Sequence, residues 1–138
     1  MGIKALHVAI PTLDIEKAVA FYTQLFGLKP TRVAEQYAHL YYGPHRISLL
    51  KTGPDSPSLQ QGATEGKRSR HFGFHAGSPE EVDDLARRAA AMGATIVAGP
   101  EDSGDERRFF FVDPSGNQIE VYFEKTPSSS PGGDVRQT

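Results

Sequence analysis

The chain has 138 residues, a formal net charge of -2 and no cysteine. Its length suits one domain or two small modules sharing a core, and its near-neutral charge gives no ground for a nucleic-acid or acidic-membrane partner. Disulfides and thiolate metal ligands are excluded, no apolar run reaches membrane length, and the opening "MGIKALHVAI" lacks signal-peptide character, so a soluble cytoplasmic protein is expected.

The first element is a strand. In "IKALHVAIP", Leu6, Val8 and Ile10 fall on one face and Ala5, His7 and Ala9 on the other. A helix follows in "TLDIEKAVAFYTQLFGLKP". Asp14 is its N-cap, and Ile15, Ala18, Val19, Tyr22 and Leu25 or Phe26 recur at helical spacing. Gly27 suits the stop, with Pro30 beyond it. "RVAEQYAHLYYG" and "HRISLLK" read as strands around a turn at Gly43-Pro44. Residues 52–69 are nearly free of apolar side chains and read as a linker or loop.

The pattern then returns. "RHFGFHAG" alternates, and "SPEEVDDLARRAAAMG" is a helix with Ser78 as N-cap, Pro79 at its first position, Glu81 closing a capping box and Gly93 at the stop. "ATIVAGP", "ERRFFFVD" and "NQIEVYFE" supply three strands, the last two joined by the turn Asp113-Pro114-Ser115-Gly116. The tail at 126–138 has the composition of a disordered segment. His7 and His71 are 64 residues apart, and so are Asp14 and Ser78. The chain therefore reads as an internal repeat. The expected fold is α+β: two βαβββ modules, at 1–51 and 70–125, forming a cupped mixed sheet with helices outside.

On the sheet face opposite the helices, this pattern places His7, then His71 and His75, then Gln118, Glu120 and Tyr122. Two imidazoles and one carboxylate on three strands could form a facial triad for a divalent first-row metal, with positions left open for substrate. Taken singly, a strand histidine is more often a structural residue, and a glutamate in an amphipathic strand more often faces solvent.

The stretches "LHVAIPTLDIEKAVAFYTQLFGL", "RHFGFHAGSPEEVDDLARRAAAMGA" and "RRFFFVDPSGNQIEVY" resemble the vicinal oxygen chelate superfamily. That group includes glyoxalase I, extradiol dioxygenases, fosfomycin-resistance proteins, methylmalonyl-CoA epimerase and metal-free bleomycin-binding proteins. The resemblance implies paired βαβββ modules and one divalent metal per chain (Mn, Fe, Ni or Zn) at His7, His71 and Glu120. It also implies a small-molecule substrate chelated through vicinal oxygens and a homodimer. Such a dimer allows His7 to come from a different chain than His71 and Glu120.

Departures from the family patterns narrow the reading. The fourth protein ligand of glyoxalase I falls on Ser48, a poor metal ligand, while His45 lies three residues earlier with opposite strand parity. The tyrosine that many dioxygenases and fosfomycin-resistance proteins carry ten residues before the glutamate is Phe110. Non-oxidative lyase, isomerase or transferase chemistry is therefore favoured. An extradiol-type dioxygenase and a metal-free small-molecule binding protein are the alternatives. Arg108, with Phe110 and Ser48, is expected to contact substrate, and Glu120 and Tyr122 to act in catalysis. His39, His45 and His75 are other acid–base candidates.

Overall fold

The computed structural model describes residues 2–55 and 71–125. The expected linker beyond Asp55 and the tail at 126–138 lie outside the described residues. The first half contains β1 (His7–Thr12), α1 (Ile15–Phe26), β2 (Lys29–Val33), β3 (Tyr37–Tyr42) and β4 (His45–Lys51). The second contains β5 (Phe72–His75), α2 (Pro79–Ala91), β6 (Thr95–Ser103), β7 (Glu106–Val112) and β8 (Gln118–Glu124). Each half is a four-stranded sheet, ordered β1-β4-β3-β2 and β5-β8-β7-β6. In each, the first strand runs parallel to the last and the other neighbours pair antiparallel. This is the βαβββ repeat, realised as two separate sheets.

The helix boundaries follow from capping. Asp14, in extended backbone, accepts from the Lys17 N–H at 3.0 Å, and Gly27 closes α1 at φ 72°. Ser78 accepts from the Glu81 N–H at 3.1 Å. The Glu81 carboxylate takes the Gly77 N–H at 2.6 Å, one residue outside the usual capping-box donor.

The strand boundaries differ from the sequence reading in the first half. "RVAEQYAHLYYG" is divided by a turn, and β2 begins upstream at Lys29 with Pro30 inside it. Proline is tolerated there because β2 is an edge strand. All five β2 residues are exposed, so no apolar alternation marks the strand.

Both helices and the helix-facing sides of both sheets share one core, from Ile10 and Leu49 to Phe109 and Val121. Helix α1 reaches across the halves: Phe26 stacks on Phe74 with ring centroids 3.8 Å apart, and Phe21 lies 5.9 Å from Phe111. Among the described residues no helix is long and apolar enough to cross a membrane.

A buried polar cluster reinforces this junction. The Tyr22 hydroxyl donates to Asp113 Oδ2 at 2.6 Å, and Asn117 Nδ2 donates to the same oxygen at 3.0 Å and to the Pro11 carbonyl at 2.7 Å. The backbone N–H groups of Ser115 and Asn117 both donate to Asp113 Oδ1 at 2.9 Å. Ser115 Oγ in turn accepts from the Leu13 N–H and bonds Thr12 Oγ1, each at 2.9 Å. One turn of the second half is thereby fastened to β1 and α1 of the first.

Replacing Asp113 with Ala strands several buried donors, and a loss of about 3 kcal/mol is expected. Tyr22→Phe removes one donor and should cost about 1 kcal/mol. Burial pushes the Asp113 carboxyl above its ordinary range, against the opposing hydrogen bonds from Tyr22, Asn117 and Ser115. A carboxyl raised on folding holds its proton more tightly in the folded state, so its contribution falls as pH rises from the ordinary aspartate range through the raised folded value. Urea denaturation at stepped pH should therefore show the gap between wild type and Asp113→Ala narrowing across that window.

Candidate functional site

Strand parity separates the two faces of the second sheet. On β7, Phe109 and Phe111 enter the core, while Arg108 and Phe110 point to the opposite, inner face. Unbroken register between β7 and β8 sets Arg108 beside Tyr122 and Phe110 beside Glu120. Arg107 has the other parity and bonds Asp83 of α2 at 2.8 Å. Arg108, and not Arg107, therefore shares the inner face with Glu120.

His71 stands immediately before β5, and its Nε2 lies 3.4 Å from Glu120 Oε1. The His71 ring meets Phe110 edge-on at 5.2 Å. Gly73 is the β5 residue directly opposite Glu120. A Cβ on Gly73 would come within 3.1 Å of the Glu120 carbonyl oxygen and 3.4 Å of Oε1. The close approach is to the backbone carbonyl; the carboxylate oxygen lies at ordinary contact distance.

Arg108 extends along the same face, 5.7 Å from the Phe110 ring centre and 3.7 Å from Glu106 Oε1. Its Nε is buried and has no hydrogen-bond partner among the described residues. Tyr122 stacks on His75 with centroids 4.7 Å apart. Desolvation, then Glu120, Glu124 and Glu106, raise the Tyr122 pKa, so its hydroxyl stays protonated at neutral pH. His75 Nε2 accepts from the Glu124 N–H at 3.2 Å.

The first sheet holds the remaining candidates. His7 Nε2 is 2.9 Å from Ser48 Oγ, and Arg46 Nη2 lies 3.3 and 3.4 Å from the two ring nitrogens. Ser48 is buried, and His7 is exposed at the start of edge strand β1. His45 is turned away, its Nδ1 accepting from the Leu6 N–H at 3.2 Å. One chain thus brings His71 and Glu120 together and leaves His7 with Ser48 and Arg46. Among the described residues no three His, Asp or Glu side chains are grouped closely enough to hold a metal ion.

A cavity of about 970 Å³ opens between the halves, walled by Leu6, Val8, Phe26 and Phe74. Gly73, His75 and Tyr122 line it, whereas His7, His71 and Glu120 do not.

Two site features were missed in the sequence. Arg46 lies two residues before Ser48 and therefore shares its face, and Gly73 is two residues after His71 on the strand that pairs with Glu120's. Strand parity signals Arg46; only register identifies what Gly73 faces.

Two βαβββ halves, one with a histidine at the start of its first strand and the other with one just before it, define a paired-module fold. The chain belongs to the Glyoxalase/Bleomycin resistance protein/Dioxygenase superfamily, whose pattern matches residues 4–121. It is 26% identical over 133 residues to the probable trivalent organoarsenical cleaving enzyme of Bacillus subtilis (strain 168), covering 91% of this chain and 83% of that one. It is 28% identical over 137 residues to the probable lactoylglutathione lyase of Vibrio parahaemolyticus, covering 91% and 94%. The fold matches the crystal structure of the fosfomycin resistance protein FosX from Listeria monocytogenes, complexed with Mn(II) and sulfate. The TM-score is 0.70 with 17% identity, covering 99% of this chain and 96% of that one.

The His71–Glu120 contact is long, at 3.4 Å, and both side chains keep some exposure to water, so it contributes little to folding. Glu120→Gln and His71→Gln should each change the unfolding free energy by less than about 1 kcal/mol, measured by urea denaturation.

Proposed function

We propose that the protein is a divalent-metal-dependent enzyme of this superfamily, acting by non-oxidative chemistry on a small molecule bound through two neighbouring oxygens. The observation that carries this reading is the His71–Glu120 pair on the inner face, with Nε2 and Oε1 3.4 Å apart. Imidazole and carboxylate are suitable donors for Mn, Fe, Ni or Zn. His7 is the third donor, and its Nε2 is the atom now facing Ser48. A bound metal would supply Lewis-acid polarisation of a substrate oxygen.

The third donor comes from a second copy in this reading. Strands β1 and β5 are sheet edges, and a histidine stands at the start of β1 and just before β5. Edge strands call for cover. Leu6, 73% exposed beside His7, supplies apolar surface for it. Setting β1 of one chain along β5 of another brings His7 toward the partner's half of the site, and the twofold operation forms two equivalent sites.

The chain's own residues then divide the work. Arg108 holds an acidic substituent of the substrate, its buried Nε being the donor left without an acceptor. The Tyr122 hydroxyl holds the proton to be delivered, oriented by its stack on His75. Phe110, beside Glu120, walls the site against water and has no exchangeable proton. That favours proton transfer or addition over ring cleavage. Cleavage of a trivalent arsenical is disfavoured because arsenic(III) is soft and thiophilic and the chain has no cysteine.

Elemental analysis after loading should give one metal per chain. Binding should be lost in Glu120→Ala and weakened about tenfold or more in His71→Ala. Undiminished binding in Glu120→Ala would refute the assignment.

Mixing separates shared from single-chain sites. His7→Ala and Glu120→Ala chains, refolded together in equal amounts, should recover about one quarter of wild-type metal sites, because half the dimers are mixed and each mixed dimer has one intact site. No recovery would place the whole site in one chain.

A further inference from the structure

The metal-dependent reading leaves the cavity of about 970 Å³ between the halves without a role. Its volume suits a small-molecule site. Its floor is apolar and incompletely covered. Phe74 stacks on Phe26 with centroids 3.8 Å apart and lies 5.7 Å from Phe72, and Val8 joins them in the wall. All four pack against the core, yet each is only partly buried. Apolar surface gathered in a concavity favours a ligand that removes it from water.

The rim is polar, and its charged groups are already engaged. Arg88 Nη2 donates to the Gln24 carbonyl at 2.8 Å, and the Glu81 carboxylate accepts from the Gly77 N–H at 2.6 Å. The Arg46 side chain lies against the His7 ring at 3.3 Å. The donors left over are neutral. His45 of the first half and His75 of the second both line the cavity and are exposed. Each ring has one nitrogen committed to a backbone donor. His45 Nδ1 accepts from the Leu6 N–H and His75 Nε2 from the Glu124 N–H, both at 3.2 Å. An accepting nitrogen carries no proton, so in the neutral ring the proton sits on His45 Nε2 and on His75 Nδ1. Among the described residues neither of these N–H groups has an acceptor.

We propose that this cavity binds an uncharged, largely apolar small molecule that carries a carbonyl oxygen. The apolar body lies on the phenylalanine floor, and the oxygen accepts from an imidazole N–H at the rim. A charged head group would meet no free counter-charge there, and a hydrocarbon would leave both imidazole donors unpaired. His7, His71 and Glu120 do not line the cavity, so the inference stands without a bound metal.

The test uses the metal-stripped full chain, so that failure of either idea leaves the other standing. The naphthyl ketone prodan should bind with a saturable blue shift of its emission, one probe per chain. Acetylnaphthalene should displace it about fivefold more effectively than ethylnaphthalene, which matches its size without the oxygen. That preference should vanish in the double variant His45→Phe/His75→Phe, which keeps both rings and removes both donors. Tyr42→Asp, at an exposed lining position, should weaken prodan about tenfold by setting a charge against the apolar body. Glu120→Ala should leave prodan binding unchanged. Absence of a saturable blue shift overturns the site. Equal displacement by the two competitors, or a preference that survives the double variant, overturns the role of the imidazoles. Undiminished binding in Tyr42→Asp, or loss of binding in Glu120→Ala, overturns the assignment to this cavity.

Discussion

The buried carboxylate of Asp113 holds the two halves in register. Among the described residues no strand of the first sheet pairs with a strand of the second, so apolar packing, this hub and the bond from Arg88 to the Gln24 carbonyl at 2.8 Å fix how the halves meet. Apolar packing is weakly directional, and rings such as Phe26 and Phe74 can slide while keeping most of their contact. The hub cannot slide: Tyr22, Asn117, Ser115 and the backbone around them are fixed by angle as well as distance. Burying the carboxylate is costly, as its raised pKa records. That cost is offset only when every donor is in place, which makes the junction specific. The corresponding hairpin turn of the first half, Gly43-Pro44, has no acid, so the repeat is broken at the point that ties it together.

Much of the architecture was legible because helix ends and half-buried strands leave local marks. Asp14, Gly27 and Ser78 act in the structure as their chemistry indicates, and the parity of "ERRFFFV" separates Arg107 from Arg108. Strand β2 was not legible, since an edge strand with every residue exposed need not alternate. Asp113 was read as a turn former, which it is. Its bond to Tyr22, and the bond from neighbouring Asn117 to the Pro11 carbonyl, connect residues 91 and 106 positions apart, and no local pattern encodes them.

For the site, sequence parity identified which residues share a face but not which faces meet. His7, His71 and Glu120 all lie where alternation puts them. Each half nevertheless presents its own inner face, and one chain unites only His71 with Glu120. Convergence depends on how sheets pack, within or between chains, and that is set by the junction and by exposed edges, not by the strands carrying the donors.

Register makes the two inner faces equivalent, Ala9 facing Ser48 as Gly73 faces Glu120, and this bears on why a carboxylate sits in the last strand. If strand geometry alone demanded a polar residue there, the matching position of the first half would show what the fold tolerates. That residue is Ser48, buried and satisfied by a single contact with His7. A neutral hydroxyl therefore meets the structural need at low desolvation cost. Glu120 instead sets a carboxylate 3.4 Å from a partly exposed imidazole, with Gly73 directly opposite it across the strand pair. Neither the apolar core nor the Asp113 hub uses that carboxylate. The second face thus carries an acid that its packing does not require, where the first face makes do with a hydroxyl at the matching position.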